Sequence, residues 1–290
     1  MNDMKETAHL LTGGAVLTGI VSHPPPEAGT QAIGVILFNA GVVHRVGPNR
    51  IYVSLARRLA ALGFPSLRVD LSGVGDSPVR DDGLPIARGR ELEAVEAMNH
   101  LQSSTGCGRF VLIGLCSGAE TSLRGALVDD RAVGAVLINA RRYGMDDAAF
   151  DGLYRQALRR HYWRMLVRSS FRFHSAARLV GGGIGWGNVG RALRSLSPRP
   201  ARRPPAEHEP RAIMSLLNRG TRVYCIHSEA DEGLDCLDLL LGPDRAVVHG
   251  HAGFTLEVLV GADHTFTLRW SQEELLSRIT DWMRSSFAPS

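Results

Sequence analysis

The chain has 290 residues, 44% of them hydrophobic, a formal charge of +4 and four cysteines; that length fills one α/β domain with a sizeable core and leaves room for an inserted segment. The basic residues are almost all arginine, Lys5 being the only lysine, and they lie scattered among acids, which argues against a nucleic-acid partner. No apolar run reaches the roughly 18 residues of a spanning helix, so no membrane partner is expected either.

Met1 to Leu10 mixes both charge signs around no apolar centre, so it does not read as a secretory signal, and a cytoplasmic setting is expected. His9 to Val21 alternates weakly and predicts an antiparallel hairpin, which Pro24-Pro25-Pro26 ends in a loop. Ala32 to Phe38 reads as a buried strand ending at Asn39-Ala40-Gly41. Val43 to Arg50 is a polar loop, with Asn49 placed to cap a helix over Tyr52 to Leu62 that Gly63 ends. His44 and Arg45, with Arg50, lie near the end of the preceding strand. They are candidates for holding an acidic group of a substrate, or for tying the loop down. Pro65 to Leu71 is the next strand, and it runs into Asp70-Leu71-Ser72-Gly73-Val74-Gly75-Asp76-Ser77. Ile86 to Leu101 has helical spacing, and Ser103 to Gly108 reads as a loop.

The informative stretch comes next. Phe110 to Ile113 is apolar and reads as a strand buried on both faces. Ala119 onward reads as a helix. Between them stands Gly114-Leu115-Cys116-Ser117-Gly118, a strand-to-helix turn with the spacing of a nucleophile elbow and cysteine at its apex. A side chain held on so sharp a turn has strained backbone angles. The residues two before and two after it crowd each other and must be tiny. The glycines are symmetric about Cys116. Were Ser117 the apex, Leu115 would clash, so the nucleophile is assigned to Cys116. The N–H of Ser117 then opens the next helix and faces a developing oxyanion. The other cysteines, Cys107, Cys225 and Cys236, form no C-x-x-C pair, so a disulfide framework is not expected.

On this motif and the order of segments around it, the chain resembles the α/β-hydrolase superfamily over nearly its whole length. The cysteine apex is similar to that of dienelactone-hydrolase-type members, where most relatives carry serine. The resemblance implies an α/β-hydrolase fold: a mostly parallel central sheet flanked by helices, with a helical lid insertion. It implies a second oxyanion donor in the loop after the Ala32–Phe38 strand. The N–H of Gly41 is the choice, with Val42 next to it in register. It also implies that Asp70 to Ser77 is the family's D-x-x-G-x-G-x-S turn, with a structural role.

Ala132 to Asn139 is a further buried strand, after which the character changes. Residues 1–140 and 221–290 are assigned to the core, and 141–220 to the lid. The lid holds helical pieces (Ala148 to Arg160, Tyr162 to Ser169), the tract Gly181-Gly182-Gly183-Ile184-Gly185-Trp186-Gly187, and a proline-rich linker from Ser197 to Pro205. Tyr154, Tyr162, Trp163, Phe171 and Phe173 give it an apolar underside, with Tyr162 and Trp163 as candidate substrate contacts. Arg222 to His227 resumes the sheet, followed by Ser228-Glu229-Ala230-Asp231-Glu232-Gly233. Phe254 to Val260 is the last strand, followed by Gly261-Ala262-Asp263-His264. Glu273 to Phe287 is a closing helix with Ile279 and Trp282 facing in.

The superfamily places its triad in the order nucleophile, acid, histidine. Cys116, Asp231 and His264 each follow a strand, and in a parallel sheet those ends share one edge. His264 takes the thiol proton; Asp231 holds the imidazole's tautomer, with Glu229, Glu232 and Asp235 as competitors. Asp263 is expected to brace the His264 loop, and His227 and His251 to be structural. No metal spacing and no nucleotide-binding glycine pattern is evident, so no cofactor is called for. The chemistry expected is thiolate attack on a carboxylic ester, lactone or thioester through an acyl-enzyme. The substrate is a small molecule or a group carried on coenzyme A or an acyl carrier protein, in specialised metabolism. Two alternatives use the same residues differently: a lyase that expels a carboxylate such as acetate from an acylated polyketide or tetronate intermediate, and a non-catalytic binding protein.

Overall fold

The computed structural model describes residues 5–176 and 210–287. The glycine tract and the proline-rich linker lie outside these residues, as do the side chains of Phe171 and Phe173. Eight strands form one sheet: β1 (Glu6–Thr12), β2 (Val16–Ser22), β3 (Ile33–Phe38), β4 (Ser66–Asp70), β5 (Arg109–Leu115), β6 (Ala132–Ile138), β7 (Arg222–Ser228) and β8 (Phe254–Leu259). Their order is β1-β2-β4-β3-β5-β6-β7-β8. The β1–β2 and β2–β4 pairs are antiparallel and every other pair is parallel. The hairpin read from alternation is therefore the antiparallel edge of an otherwise parallel sheet.

Among the described residues seven α-helices accompany the sheet: α1 (Ile51–Ala61), α2 (Ile86–Thr105), α3 (Ser117–Val128), α4 (Asp147–Ala176), α5 (Arg211–Asn218), α6 (Glu232–Leu241) and α7 (Arg269–Phe287). The central strands are apolar on both faces because both are covered. On one face α1 and α7 pack Ile51, Leu55, Leu59, Leu275 and Ile279 against Val35, Leu37, Val111 and Ile113. On the other, α2, α3 and α6 pack Met98, Leu101, Leu123 and Leu237 against Ile36, Phe38 and Leu112. Trp282 is part-buried and stacks on Tyr224 at 5.2 Å.

Four local expectations change. α2 runs through Thr105 before Gly106 ends it at φ 79°, so Ser103 to Thr105 are helical. Asn49 does not cap α1: it sits at φ 52° in a short 3-10 turn, and its Nδ2 donates to the carbonyl of Thr265 at 3.1 Å. The two helical pieces expected in the lid are one continuous helix, α4. Within the segment assigned to the lid, α5 buries Ile213, Leu216 and Leu217 in the main core, and α4 adds Leu153 and Ala157. Among the described residues no helix is long and apolar enough to cross a membrane.

The parallel arrangement fixes where chemistry can gather. Asn39 and Gly41 after β3, Asp70 at the end of β4, Cys116 after β5, Asn139 and Arg141 after β6, Asp231 after β7 and His264 after β8 all lie at the carboxyl edge of the sheet.

Candidate active site

Cys116 stands between β5 and α3 at φ 56° and ψ −115°, a conformation that costs a non-glycine residue about 1–3 kcal/mol. The surroundings hold it there. A Cβ on Gly114 would lie 2.0 Å from the Gly118 carbonyl carbon, and one on Gly118 would lie 2.5 Å from the Asn39 carbonyl oxygen. The two glycines are required, as the motif predicts, because the turn folds back on itself and against the end of β3. Backbone bonds complete the clamp: Cys116 N–H donates to the Ile138 carbonyl at 2.9 Å, and Leu115 N–H to the buried Tyr52 hydroxyl at 2.8 Å. Cys116 is half-buried; Cys107, Cys225 and Cys236 are buried, and all four are free thiols.

The structure brings Cys116, His264 and Asp231 together. His264 Nδ1 hydrogen-bonds Asp231 Oδ2, and the imidazole also hydrogen-bonds the Cys116 thiol. Asp231 is the N-cap of α6, and its Oδ1 accepts the Gly233 N–H at 2.8 Å. The His264 loop is pinned from three directions. Asn139 Nδ2 donates to the His264 carbonyl at 2.8 Å, Ser228 Oγ to the Asp263 carbonyl at 2.8 Å, and Thr267 N–H to Asp263 Oδ1 at 2.7 Å. Asp263 thus braces the loop as read from the sequence. Asn139, buried at φ 46°, was not evident there; an asparagine ending an apolar strand was the only signal.

The electrostatics favour an ion pair. The hydrogen bonds to Asp231 and to Cys116 raise the His264 pKa to about 9, against the opposing effect of burial. Burial opposes ionisation of the Cys116 thiol. The His264 hydrogen bond and charge, the Arg141 charge and the Ser117 N–H outweigh it and hold the thiol below its ordinary pKa. Burial likewise opposes ionisation of Asp231, yet His264 and the Gly233 N–H keep its pKa below the usual carboxylate value.

The remaining candidates divide. Ser117 N–H faces the Cys116 sulfur, and Ser117 Oγ accepts the Gly41 N–H at 2.8 Å. Gly41, at φ 59°, therefore lies beside the elbow, with its donor engaged by a hydroxyl at the mouth of the site. His44 and Arg45 face another way. Arg45 Nη1 bonds Asp70 Oδ2 and lies 2.8 Å from Asp76 Oδ2, and His44 Nε2 lies 3.3 Å from Asp76 Oδ2. Of the two roles open to them, they take the loop-tying one, because both side chains turn toward Asp70 and Asp76. Tyr162 is exposed on α4 and meets the His161 ring edge-on at 5.9 Å; Trp163 is half-buried beside it. Neither is brought into contact with Cys116 or His264.

The competing acids have other partners. Asp235 is buried beneath Arg160, His161 and Arg164 of α4, with His161 Nδ1 at 3.4 Å. Glu232 accepts from Tyr154 at 3.2 Å and pairs with Arg141 Nη2 at 2.8 Å. His227 is held inside the core: its Nε2 meets the Tyr143 hydroxyl at 2.7 Å, and burial pushes its pKa down to about 4. His251 Nδ1 accepts from Gly253 N–H at 3.1 Å. Arg141, which the sequence did not single out, reaches the Cys116–His264–Asp231 cluster, with Nη2 3.4 Å from His264 Nδ1 and 3.9 Å from Asp231 Oδ2. Among the described residues one triplet has metal-like spacing: His44, Asp70 and Asp76, whose ligand atoms lie within 4.8 Å of one another. Arg45 already bridges both carboxylates, so a metal ion there would meet a fixed positive charge.

Comparison with known proteins agrees with the fold. The pattern described as "Alpha/beta hydrolase family" matches residues 40–275. No curated protein matches the chain. Among solved structures, a Xanthomonas campestris protein described as an a/b serine hydrolase without lid is similar, with 15% identity and a TM-score of 0.59 over 99% of this chain and 97% of that one. The dienelactone hydrolase of Anabaena variabilis superposes at 14% identity and a TM-score of 0.56 over 97% and 98% of the two chains. An esterase of Pyrococcus furiosus gives 15% identity and a TM-score of 0.56 over 98% and 93%. At these identities the structural likeness is one of fold.

Proposed function

The chain belongs to the alpha/beta hydrolase family, and from that premise we propose that it is an acyl hydrolase with a Cys116–His264–Asp231 triad, acting on an ester, lactone or thioester. The observation that carries the reading is the hydrogen-bonded run from the half-buried Cys116 thiol through His264 to the buried Asp231. In the proposed reaction the Cys116 sulfur attacks the acyl carbonyl carbon as a thiolate. The carbonyl π pair moves onto oxygen, and the N–H groups of Ser117 and Gly41 stabilise the charge. The Ser117 hydroxyl, which the Gly41 N–H now serves, gives way to that oxygen. Collapse expels an alcohol or thiol, which takes a proton from His264. Water, deprotonated by His264, then attacks the thioester and restores the thiol. Asp231 keeps the imidazole in the tautomer that both steps need.

A thiolate exchanges readily with a thioester, so a group carried on coenzyme A or an acyl carrier protein fits this nucleophile, as a specialised-metabolism role would require. α4 is fastened to α6 through Asp235, which His161 and Arg164 of α4 face. Intact-mass measurement after incubation with a panel of acyl thioesters and esters tests the proposal. The expected result is an acyl adduct on the wild type that is absent in Cys116→Ala. Turnover without any adduct, giving a product with a new carbon–carbon double bond and no oxygen from water, would replace the reading with elimination.

A further inference from the structure

Arg141 is a guanidinium with unused donors beside the nucleophile. It follows β6 at the carboxyl edge of the sheet, its side chain 28% exposed. Nη2 lies 2.8 Å from Glu232 Oε1. The approach to His264 Nδ1 at 3.4 Å is no hydrogen bond, because that nitrogen carries the proton it gives to Asp231. Nε is buried without any partner. An arginine has five N–H donors in a planar fork that suits a carboxylate. Here that fork is anchored on one side by Glu232, and its other donors meet no acceptor among the described residues. A buried donor left unsatisfied costs about 1–3 kcal/mol, more when it is charged, and such a group next to a reactive centre is explained by a ligand that satisfies it.

We propose that Arg141 is the receptor for an anionic group of the substrate, so that the acyl portion this enzyme accepts carries a free carboxylate. The proposal rests on Cys116 being the nucleophile and goes beyond it by naming the substrate class. Glu232 holds the fork in place while competing for it. Tyr154 of α4 donates to the same Glu232 and so connects that helix to the receptor. A substrate carboxylate displaces the weaker Glu232 contact or adds to it on the open donors. Of the other basic side chains near this edge, Arg45 and His44 face Asp70 and Asp76, and Arg160 and Arg164 face Asp235.

Two alkylating reagents of nearly equal size test this without knowledge of the substrate. Iodoacetate carries a carboxylate where iodoacetamide carries a neutral amide. With either, the Cys116 sulfur forms a bond to the methylene carbon and iodide leaves with the electron pair. The quantity to measure is the ratio of the Cys116 labelling rates, iodoacetate over iodoacetamide, by mass spectrometry of the Cys116 peptide. Arg141→Met is expected to lower this ratio on the order of 10- to 100-fold. Arg141→Lys should give an intermediate ratio, and Glu232→Gln, which frees the fork, should raise it. The opposite signs keep the test valid should Arg141→Met fold poorly. A ratio equal in wild type and Arg141→Met, with both rates falling together, would overturn the proposal and leave Arg141 as a charge acting on the thiol alone. Failure of both reagents to label Cys116 would sink the nucleophile reading instead. Glutarate against its monoamide, read by calorimetry on the full chain, would then decide the receptor: tighter glutarate binding that Arg141→Met removes supports it, and equal binding refutes it.

Discussion

Two carboxylates at the same edge of the sheet, Asp70 and Asp231, are both fully buried and do opposite things. Asp70 is saturated. Asn39 Nδ2 donates to its Oδ1 at 2.9 Å and Arg45 N–H at 2.6 Å, while Asp76 N–H at 3.1 Å and the Arg45 guanidinium serve Oδ2. Gly75 has no room for a Cβ, which would lie 2.2 Å from Asp70 Oδ2. Every donor around Asp70 is fixed, so it rivets the loops after β3 and β4 together. Asp231 has two hydrogen-bond partners, the Gly233 N–H and His264, and His264 in turn holds a half-buried thiol. One buried charge is closed on all sides; the other passes its influence to a group that substrate can reach. The difference lies in what surrounds the carboxylate, since the residue type is the same.

The comparison breaks most visibly at the thiol. Cys116→Ala should lower kcat/KM on the order of 10⁴-fold and abolish the acyl adduct, with the fold intact by circular dichroism. Retained turnover would detach the Asp231 side from chemistry altogether. Asp231→Asn should cost about 10²- to 10⁴-fold in kcat, because the amide can donate to Nδ1 and select the wrong imidazole tautomer. Asp70→Ala should reverse the pattern. Leaving Arg45 and Asn39 without their acceptor should lower unfolding free energy by about 3–5 kcal/mol in urea titration, while kcat of the folded fraction changes only a few-fold. A large kcat effect with unchanged stability would put Asp70 on the catalytic side.

Both carboxylates were visible in the sequence, and so were the loops that hold them, for different reasons. Cys116 was legible because steric crowding writes glycines at fixed offsets, and Gly114 and Gly118 each face backbone at under 3 Å. Asp231 and His264 were legible because a parallel sheet lines up strand ends, and the chain order of the segments did the rest. The β2–β4 pairing that closes the antiparallel edge left no such mark, since register between distant strands is not encoded locally. Arg141 and Asn139 were missed for a related reason. Each is a polar residue just beyond an apolar strand, and its meaning comes from partners more than 85 positions away, Ser228 and His264 for Asn139 and Glu232 for Arg141. His44 and Arg45 were left open between two roles because their distance from the sheet edge is clear in sequence, whereas the direction of a side chain is not. Asn49 looked like a cap and instead crosses to the His264 loop, 216 positions on.

The protonation states sharpen the contrast further. His264 holds its proton up to about 9, while Cys116 ionises below the ordinary thiol value, so the thiolate–imidazolium pair occupies the window between them. Labelling of Cys116 by iodoacetamide should therefore reach to lower pH than labelling of an ordinary thiol. His264→Gln should move the acid limb of the pH–rate curve upward toward the ordinary thiol value of about 8.5 and slow labelling at pH 7. The sign for stability follows from the same shift. A raised His264 pKa stabilises the fold fully below its unfolded value of about 6.5, and that contribution is lost as pH rises through about 9. The depressed Asp231 pKa acts at the other end, stabilising above the unfolded carboxylate value of about 3.9 and fading as pH falls through the folded one. Wild type should thus lose stability between pH 6.5 and 9 relative to His264→Gln, in urea midpoints taken across that range.

The smallest effect belongs to His44, and it tests the boundary between the two regions. Its ring is 37% exposed, and its nearer acidic partner, Asp76, is 61% exposed, so water screens the contact. Asp70 has its donors from Asn39, Arg45 and Asp76 whether or not His44 is present. His44→Gln should therefore change unfolding free energy by no more than about 0.5 kcal/mol. Since its ring faces Asp70 and Asp76, KM for an anionic acyl substrate should stay within a few-fold of wild type, in contrast to Arg141→Met measured beside it. A tenfold rise in KM for His44→Gln would mean that the loop after β3 turns toward the substrate during turnover, and that the closed region and the open one exchange residues.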